Sequence, residues 1–180
     1  MAACTRWKVL FPVLILCVSL LGMVVSVSGD AALIKDVCGK TSRPFYCKTC
    51  YEFYRQSSQE NVKYLGRTSI RCAYSEFDIF RSTLGSLMIN PKNLVPGLQN
   101  ACNHCLFKLV SVDKQIKRAL QSWQQALYAS SSRQMWTAVN IINDCGRELM
   151  KFNLPKSLAD QLVALGGFSE ASVGVLNQIH

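Results

Sequence analysis

Nine cysteines are the residues of this 180-residue chain best suited to chemistry, and four of them form two Cys-x-x-Cys pairs. The pairs are Cys47 with Cys50 and Cys102 with Cys105. Together the four thiols could bind zinc, or each pair could act as a redox dithiol. The segment between the pairs is far longer than the roughly 15–20 residues of a zinc ribbon, and no βαβ pattern accompanies them. We therefore favour disulfide bonding, keep a metal or redox protein as an alternative, and expect no cofactor.

The other titratable side chains do not form a catalytic pattern. His104 and His180 are the two histidines, and neither is spaced with a serine and an acid as a hydrolase would require. Asp144 and Glu148 lie one helical turn apart with Arg147 close by, which is typical of a solvated helix face. No catalytic residue is predicted, and the chain is not expected to be an enzyme.

Residues 1–29 have the layout of a secretory signal peptide. Two basic residues precede an apolar run from Val9 to Val25, and small residues follow as far as Gly29. The run is shorter than the ~20 residues that a membrane-spanning helix prefers, and a proline and a glycine interrupt it. We expect cleavage between Gly29 and Asp30, which would leave residues 30–180 as a secreted domain that is not attached to a membrane.

Removal of this leader would also change the cysteine count and the charge. Two cysteines leave with it, and seven remain in a compartment where disulfides persist. Because seven is odd, at least one thiol must stay free or pair between chains. The formal charge of +9 would fall to +7 with the loss of two leader residues, Arg6 and Lys8.

Long amphipathic helices must position the cysteines. An apolar stripe at alternating steps of four and three runs from Leu98 to Ala126 and includes Cys102 and Cys105. Three more stripes have the same spacing and predict three more helices: Ile70–Leu87, Ala138–Phe152 and Leu158–Ile179. Two short helices are predicted before them, over residues 31–37 and 45–54.

Turn residues separate these segments and fix the architecture. The predicted breaks lie at Asn90-Pro91, at Ser130–Ser132 and before Pro155, while Gly166-Gly167 could kink the last helix. Trp136, near the start of the third long helix, could belong to the core. Short connections favour an all-α, up-and-down four-helix bundle preceded by a small α-hairpin.

Four cysteines have a spacing that resembles a known family. Leu33-Ile34 followed by Cys38, Thr41 and Cys47 is similar to the N-terminal signature of the plant invertase and pectin methylesterase inhibitors. The separation of Cys105 and Cys145 is similar to that of the family's second bridge. The resemblance therefore implies disulfides Cys38–Cys47, which would staple the hairpin, and Cys105–Cys145, between two bundle helices. It leaves the state of three cysteines open: Cys50, Cys72 and Cys102.

The resemblance also implies a function. Proteins of this family block the substrate cleft of an enzyme in a reversible complex, in the apoplast, the cell wall or the vacuole. Invertase inhibitors resemble one another in a Pro-Lys-Phe segment between the third and fourth cysteines, whereas the expected link here, residues 129–134, contains no proline. Pectin methylesterase is therefore the first predicted target and acid invertase the second, with contacts made by a face of the bundle.

Two basic clusters could add a weaker interaction. They are Lys63, Arg67 and Arg71, and Lys114, Lys117 and Arg118. Such clusters are most simply solvated helix faces, but they could attract pectin or an acidic enzyme. Nucleic acid is disfavoured, because no aromatic residue lies within the clusters.

Overall fold

A computed structural model describes residues 31–54, 61–89 and 94–179, and over these residues the chain is helical without strands. The helices are α1 (31–39), α2 (Pro44–Phe53), α3 (Val62–Ile89), α4 (Pro96–Gln124), α5 (Tyr128–Leu149) and α6 (Lys156–Leu176). No helix in the described part of the chain is long and apolar enough to span a membrane. The predicted signal peptide, its cleavage site and the Asn90-Pro91 break lie outside these residues.

Helices α3 to α6 form the predicted up-and-down bundle. Each packs against two neighbours, so that α3 contacts α4 and α6 while α5 contacts the same two helices from the other side. The short helices α1 and α2 form the predicted hairpin, which packs on α3 and α6 around a second, smaller core. Tyr51 of α2 is buried there and donates its hydroxyl to the carbonyl oxygen of Leu65 at 2.8 Å.

Helix α4 buries the predicted stripe from Leu98 to Trp123, but the last predicted member, Ala126, is exposed beyond the helix end. Ala126 has a positive φ of 58°. Its N–H donates to the carbonyl of Trp123, and the N–H of Leu127 donates to the carbonyl of Ser122. These two bonds form a Schellman motif, which ends α4 and turns the chain into α5.

The predicted turn at Ser130–Ser132 is wrong, because all three serines lie in the first turns of α5. Ser131 is completely buried, and its hydroxyl donates to the carbonyl oxygen of Ala119 in α4 at 2.9 Å. Serine is small enough to let the two helices approach closely, and its buried hydroxyl group is satisfied by this hydrogen bond. The link between α4 and α5 is therefore 125–127 and not 129–134.

The pair Gly166-Gly167 does not kink α6, which is continuous from Lys156 to Leu176. Gly167 lies against Tyr46 of α2, and a Cβ atom added there would come within 3 Å of three atoms of the tyrosine side chain. A Cβ at Gly166 would meet nothing within 4 Å. Gly167 thus provides the close approach that seats the hairpin on α6.

The two adjacent glycines should respond oppositely to alanine. Gly167→Ala should lower the free energy of unfolding by about 1–3 kcal/mol, because the Tyr46 ring must shift to admit the methyl group. Gly166→Ala should be neutral or stabilising by up to about 1 kcal/mol, because alanine favours the helix and has room. Urea denaturation of both variants tests this, and shifts of the same sign and size would contradict the seating of Tyr46 on Gly167.

Candidate functional site

Three disulfides are present among the described residues. Two join the cysteines that the family resemblance pairs: Cys38–Cys47, with Cα atoms 5.4 Å apart, and Cys105–Cys145, with Cα atoms 5.0 Å apart. The third joins Cys50 of α2 to Cys72 of α3, with Cα atoms 5.8 Å apart. This third bridge, which the sequence pattern left open, ties the hairpin to the bundle.

These bridges divide both Cys-x-x-Cys pairs. Cys47 and Cys50 each form a disulfide with a cysteine outside their own pair, and Cys105 likewise bonds to a cysteine outside its pair. Cys102 is the free cysteine of the described residues, and burial raises the pKa of its thiol, which disfavours the reactive thiolate. Within the same residues, no three His, Cys, Asp or Glu side chains converge as a metal site would require. The arrangement therefore gives no support to the metal or redox alternative.

Each of the two acidic residues that were predicted to lie on a solvated helix face pairs with a basic side chain. Glu148 accepts a hydrogen bond from Nζ of Lys108 across α4 and α5 at 2.5 Å, which lowers the pKa of its carboxyl. Asp144 pairs with Arg147 one turn away. His104 lies exposed on α4. Because the two acids pair separately, they do not form an acid–base couple.

An extended concave surface lies between α5 and α6, and we call it the α5–α6 groove. It consists of two adjoining depressions of about 520 and 540 Å³ that share Asn143 and Glu170. Its α5 wall repeats every seven residues at Trp136, Asn143 and Met150. At a rise of about 1.5 Å per residue, the distance from Trp136 to Met150 gives the groove a length of about 21 Å.

The residues of the α6 wall also recur every seven positions, and part of this wall is low. It carries Val163, Glu170 and Asn177, with Gly166 and Gly174 between them. The wall is low at Gly166, since a Cβ added there would meet nothing within 4 Å, whereas Gly174 packs against Thr41 of the hairpin, where a Cβ would come within 3 Å of two side-chain atoms. Its floor is formed by apolar side chains of both helices: Val139, Ile142, Leu162 and Val173.

The N-terminal hairpin closes one side of the α5–α6 groove. Nε of Arg43 donates to Oε2 of Glu170 at 2.6 Å, and this bond raises the pKa of the guanidinium, which stays charged. Nε2 of Gln178 donates to the carbonyl oxygen of Val37 at 2.9 Å. These contacts link the hairpin to α6 along this side of the groove.

Exposed apolar side chains mark the rim of the α5–α6 groove. Trp136 is 53% exposed, so its assignment to the core is wrong, and Met150 and Val163 are exposed to a similar degree. An apolar surface with amides and paired charges around it is the usual composition of a protein-binding face. Sequence reasoning missed this surface, although the repeat Trp136, Asn143, Met150 on the polar side of α5 was a signal for it.

Comparisons with known proteins support a relationship in structure and not in sequence. No family model matches the sequence, and no curated protein matches it. A mutant form of a pectin methylesterase inhibitor from Arabidopsis superposes with a TM-score of 0.71 at 14% identity, covering 82% of this chain and 97% of the inhibitor. A pectin methylesterase inhibitor from Arabidopsis thaliana gives 0.63 at 13% identity, covering 84% and 98%. The chain therefore has the fold of the pectin methylesterase inhibitors.

Proposed function

We propose that this protein is a secreted inhibitor of pectin methylesterase that covers the substrate cleft of the enzyme and performs no chemistry itself. The observation that carries the proposal is the extent of the structural similarity, which includes 97% and 98% of the chains in two structures of such inhibitors. Both the hairpin and the bundle are thus accounted for by proteins that inhibit this enzyme.

The α5–α6 groove is the surface that we assign to the enzyme. Trp136 and Met150 are exposed at its two ends, and tryptophan is among the residues that most often dominate binding energy at interfaces. The Cys105–Cys145 bridge fixes α5 to α4, and the Arg43–Glu170 pair fixes the hairpin to α6. A surface held in this way loses little conformational entropy on binding, which favours a tight complex.

The connection between α4 and α5 supports pectin methylesterase over acid invertase as the target. Residues 129–134, predicted to form this connection, are helical. The connection in the structure is 125–127, with the sequence Gln-Ala-Leu. It also lacks the Pro-Lys-Phe segment that is shared by invertase inhibitors. Contacts from helix faces therefore suit this chain better than contacts from a stiff, cationic loop.

Separate titrations against the two enzymes test the target. The purified mature protein should inhibit a plant pectin methylesterase at the mildly acidic pH of the cell wall and should inhibit a plant acid invertase weakly or not at all. Inhibition of invertase alone would overturn the choice of target. Inhibition of neither enzyme by a protein with a cooperative unfolding transition would overturn the inhibitor function.

A pair of matched variants tests the assigned surface. Combining Trp136→Ala with Met150→Ala should weaken inhibition by at least about tenfold, because it removes the apolar anchors of the α5–α6 groove. Combining Phe107→Ala with Val110→Ala removes two exposed apolar side chains from α4 and should leave inhibition unchanged. The reverse result would place the enzyme on α4.

A further inference from the structure

The two basic clusters of the sequence meet on one surface of the bundle, which we call the basic seam. It is defined by six exposed side chains of α3 and α4: Lys63, Arg67, Arg71, Lys114, Lys117 and Arg118. The hydroxyl of Tyr74 on α3 donates to Oδ1 of Asp113 on α4 at 3.2 Å, and Gly66 packs against Trp123. In the antiparallel register that these contacts set, residues 114–118 of α4 lie beside residues 70–74 of α3, so the two clusters meet end to end at Arg71 and Lys117.

Positive charge on the basic seam is largely uncompensated. Asp113 accepts a hydrogen bond from Nζ of Lys117 at 2.8 Å. The other five seam cations form no salt bridge with any residue of the described ranges. Five cations elsewhere in those ranges do have acidic partners: Lys40, Arg43, Lys108, Arg147 and Lys156. Five further cations of the described ranges are also unpaired, but they are spread over other surfaces: Lys35, Lys48, Arg81, Arg133 and Lys151. The basic seam is therefore where five unpaired cations lie on two neighbouring helices.

The shape and composition of the basic seam fit a linear polyanion better than a folded protein. Lys63 to Arg71 extends about 12 Å along α3, and the α4 cations continue this row past Arg71 on the neighbouring helix, whose axis lies about 8–10 Å away. The exposed α4 side chains beside Lys63 and Arg67 include Gln121 and Gln124 and offer no apolar anchor there, whereas the exposed Phe107 and Val110 lie beyond Lys114, at one end of the seam. Protein interfaces are depleted in lysine and need such an anchor, whereas linear polyanions bind through many cations at once.

Two aromatic rings near the basic seam already contact lysine side chains of the seam. Nζ of Lys117 lies 5.9 Å from the centre of the Tyr74 ring, and Nζ of Lys63 lies 5.4 Å from that of Tyr128. Proteins that bind single-stranded nucleic acids stack the bases on exposed faces of aromatic side chains. With one face of each ring occupied by a lysine, a polyanion without bases is the better fit.

We propose that the basic seam binds polygalacturonate, the polycarboxylate that forms when methyl esters are removed from pectin. The identity of the polymer rests on the proposed function, since pectin methylesterase generates these carboxylates. The basic seam lies between α3 and α4, and the α5–α6 groove lies on the opposite side of the ring of helices. One molecule can therefore hold the enzyme on one side and its polymeric product on the other.

Calorimetric titration in the absence of enzyme tests the proposal. The protein should bind polygalacturonate at low ionic strength, with affinity falling as salt increases, and should not bind fully methyl-esterified pectin. Combining Arg67→Glu, Arg71→Glu and Lys114→Glu should weaken this binding by at least about tenfold. The control combines Lys35→Glu, Lys48→Glu and Lys151→Glu, three exposed cations outside the basic seam, and should change affinity less than about twofold, although the change in net charge is the same.

Three outcomes would overturn the proposal. Equal losses in the two triple variants would show that net charge and not the basic seam is responsible. Equal binding of esterified pectin would show that carboxylates are not recognised. Binding of single-stranded RNA at least as tight, with the same dependence on the seam residues, would assign the surface to nucleic acid. Inhibition of pectin methylesterase is assayed separately with each variant, so failure of the inhibitor function is distinguished from failure of polymer binding.

Discussion

Replacing Ile116 by aspartate is expected to unfold the bundle. Ile116 lies in the middle of α4, is completely buried, and belongs to the main hydrophobic core. A carboxylate at this position would have no cation or hydrogen-bond donor to replace its hydration, and a neutral carboxyl group would still leave polar atoms unsatisfied. The cost of several kcal/mol is comparable with the total stability of about 5–15 kcal/mol that domains of this kind have. We expect the variant to lose its cooperative urea transition and its near-ultraviolet circular dichroism.

The matched control for Ile116→Asp lies two residues away on the opposite face of α4. Lys114 is exposed, and Lys114→Asp introduces the same side chain into solvent. Its free energy of unfolding should remain within about 0.5 kcal/mol of the parent protein. If both variants unfolded at similar urea concentrations, the face of α4 assigned to the core would be wrong.

The sequence predicts the core of this fold well because burial repeats with the helix. The stripe containing Ile116 and Leu109 is buried from Leu98 to Trp123, and it departs from the structure at Ala126. Periodicity reports which face is apolar over many turns, so single exceptions do not obscure it. The stripes predicted for the other three bundle helices are buried in the same way, except near their ends: Leu87 and Phe152 are only partly buried, and Phe152 and Ile179 lie beyond the ends of α5 and α6.

The end of α4 was not predictable from the usual turn residues. The chain reverses at Ala126, an alanine in the left-handed conformation that glycine normally adopts at this position. The three serines that resemble a turn are helical instead, and Ser131 is buried because its hydroxyl finds a carbonyl on α4. Packing between α4 and α5 therefore outweighs the local preference of serine for turns.

The candidate site depends on relationships between helices that a single sequence does not express. Trp136 becomes a groove residue only when α5 and α6 pack in register, and Gly174 matters because it lets Thr41 of the hairpin approach α6 closely beside the groove. The Cys50–Cys72 bridge likewise depends on how α2 docks on α3. Periodicity within one helix contains none of this information, which explains why the bundle was predicted and the α5–α6 groove was not.

Removal of the Cys105–Cys145 bridge is expected to have the largest effect among the three disulfides. This bridge closes a loop of 40 residues, compared with 22 for Cys50–Cys72 and 9 for Cys38–Cys47. In the chain-entropy description, opening these loops costs about 4, 3.4 and 2.6 kcal/mol, respectively. Combining Cys105→Ala with Cys145→Ala should therefore lower the free energy of unfolding by about 4 kcal/mol, as measured by urea denaturation.

Cys102→Ala provides a control for the Cys105–Cys145 prediction on the same helix. Cys102 lies one turn before Cys105 and is equally buried, but it forms no disulfide, so its replacement removes packing alone and should cost about 1 kcal/mol. A loss for Cys102→Ala as large as that of the double variant would show that packing, and not the cross-link, stabilises this region. Because the bridge also anchors the α5 wall of the groove to α4, the double variant should lose inhibition of pectin methylesterase at a lower temperature than the Cys102→Ala protein does.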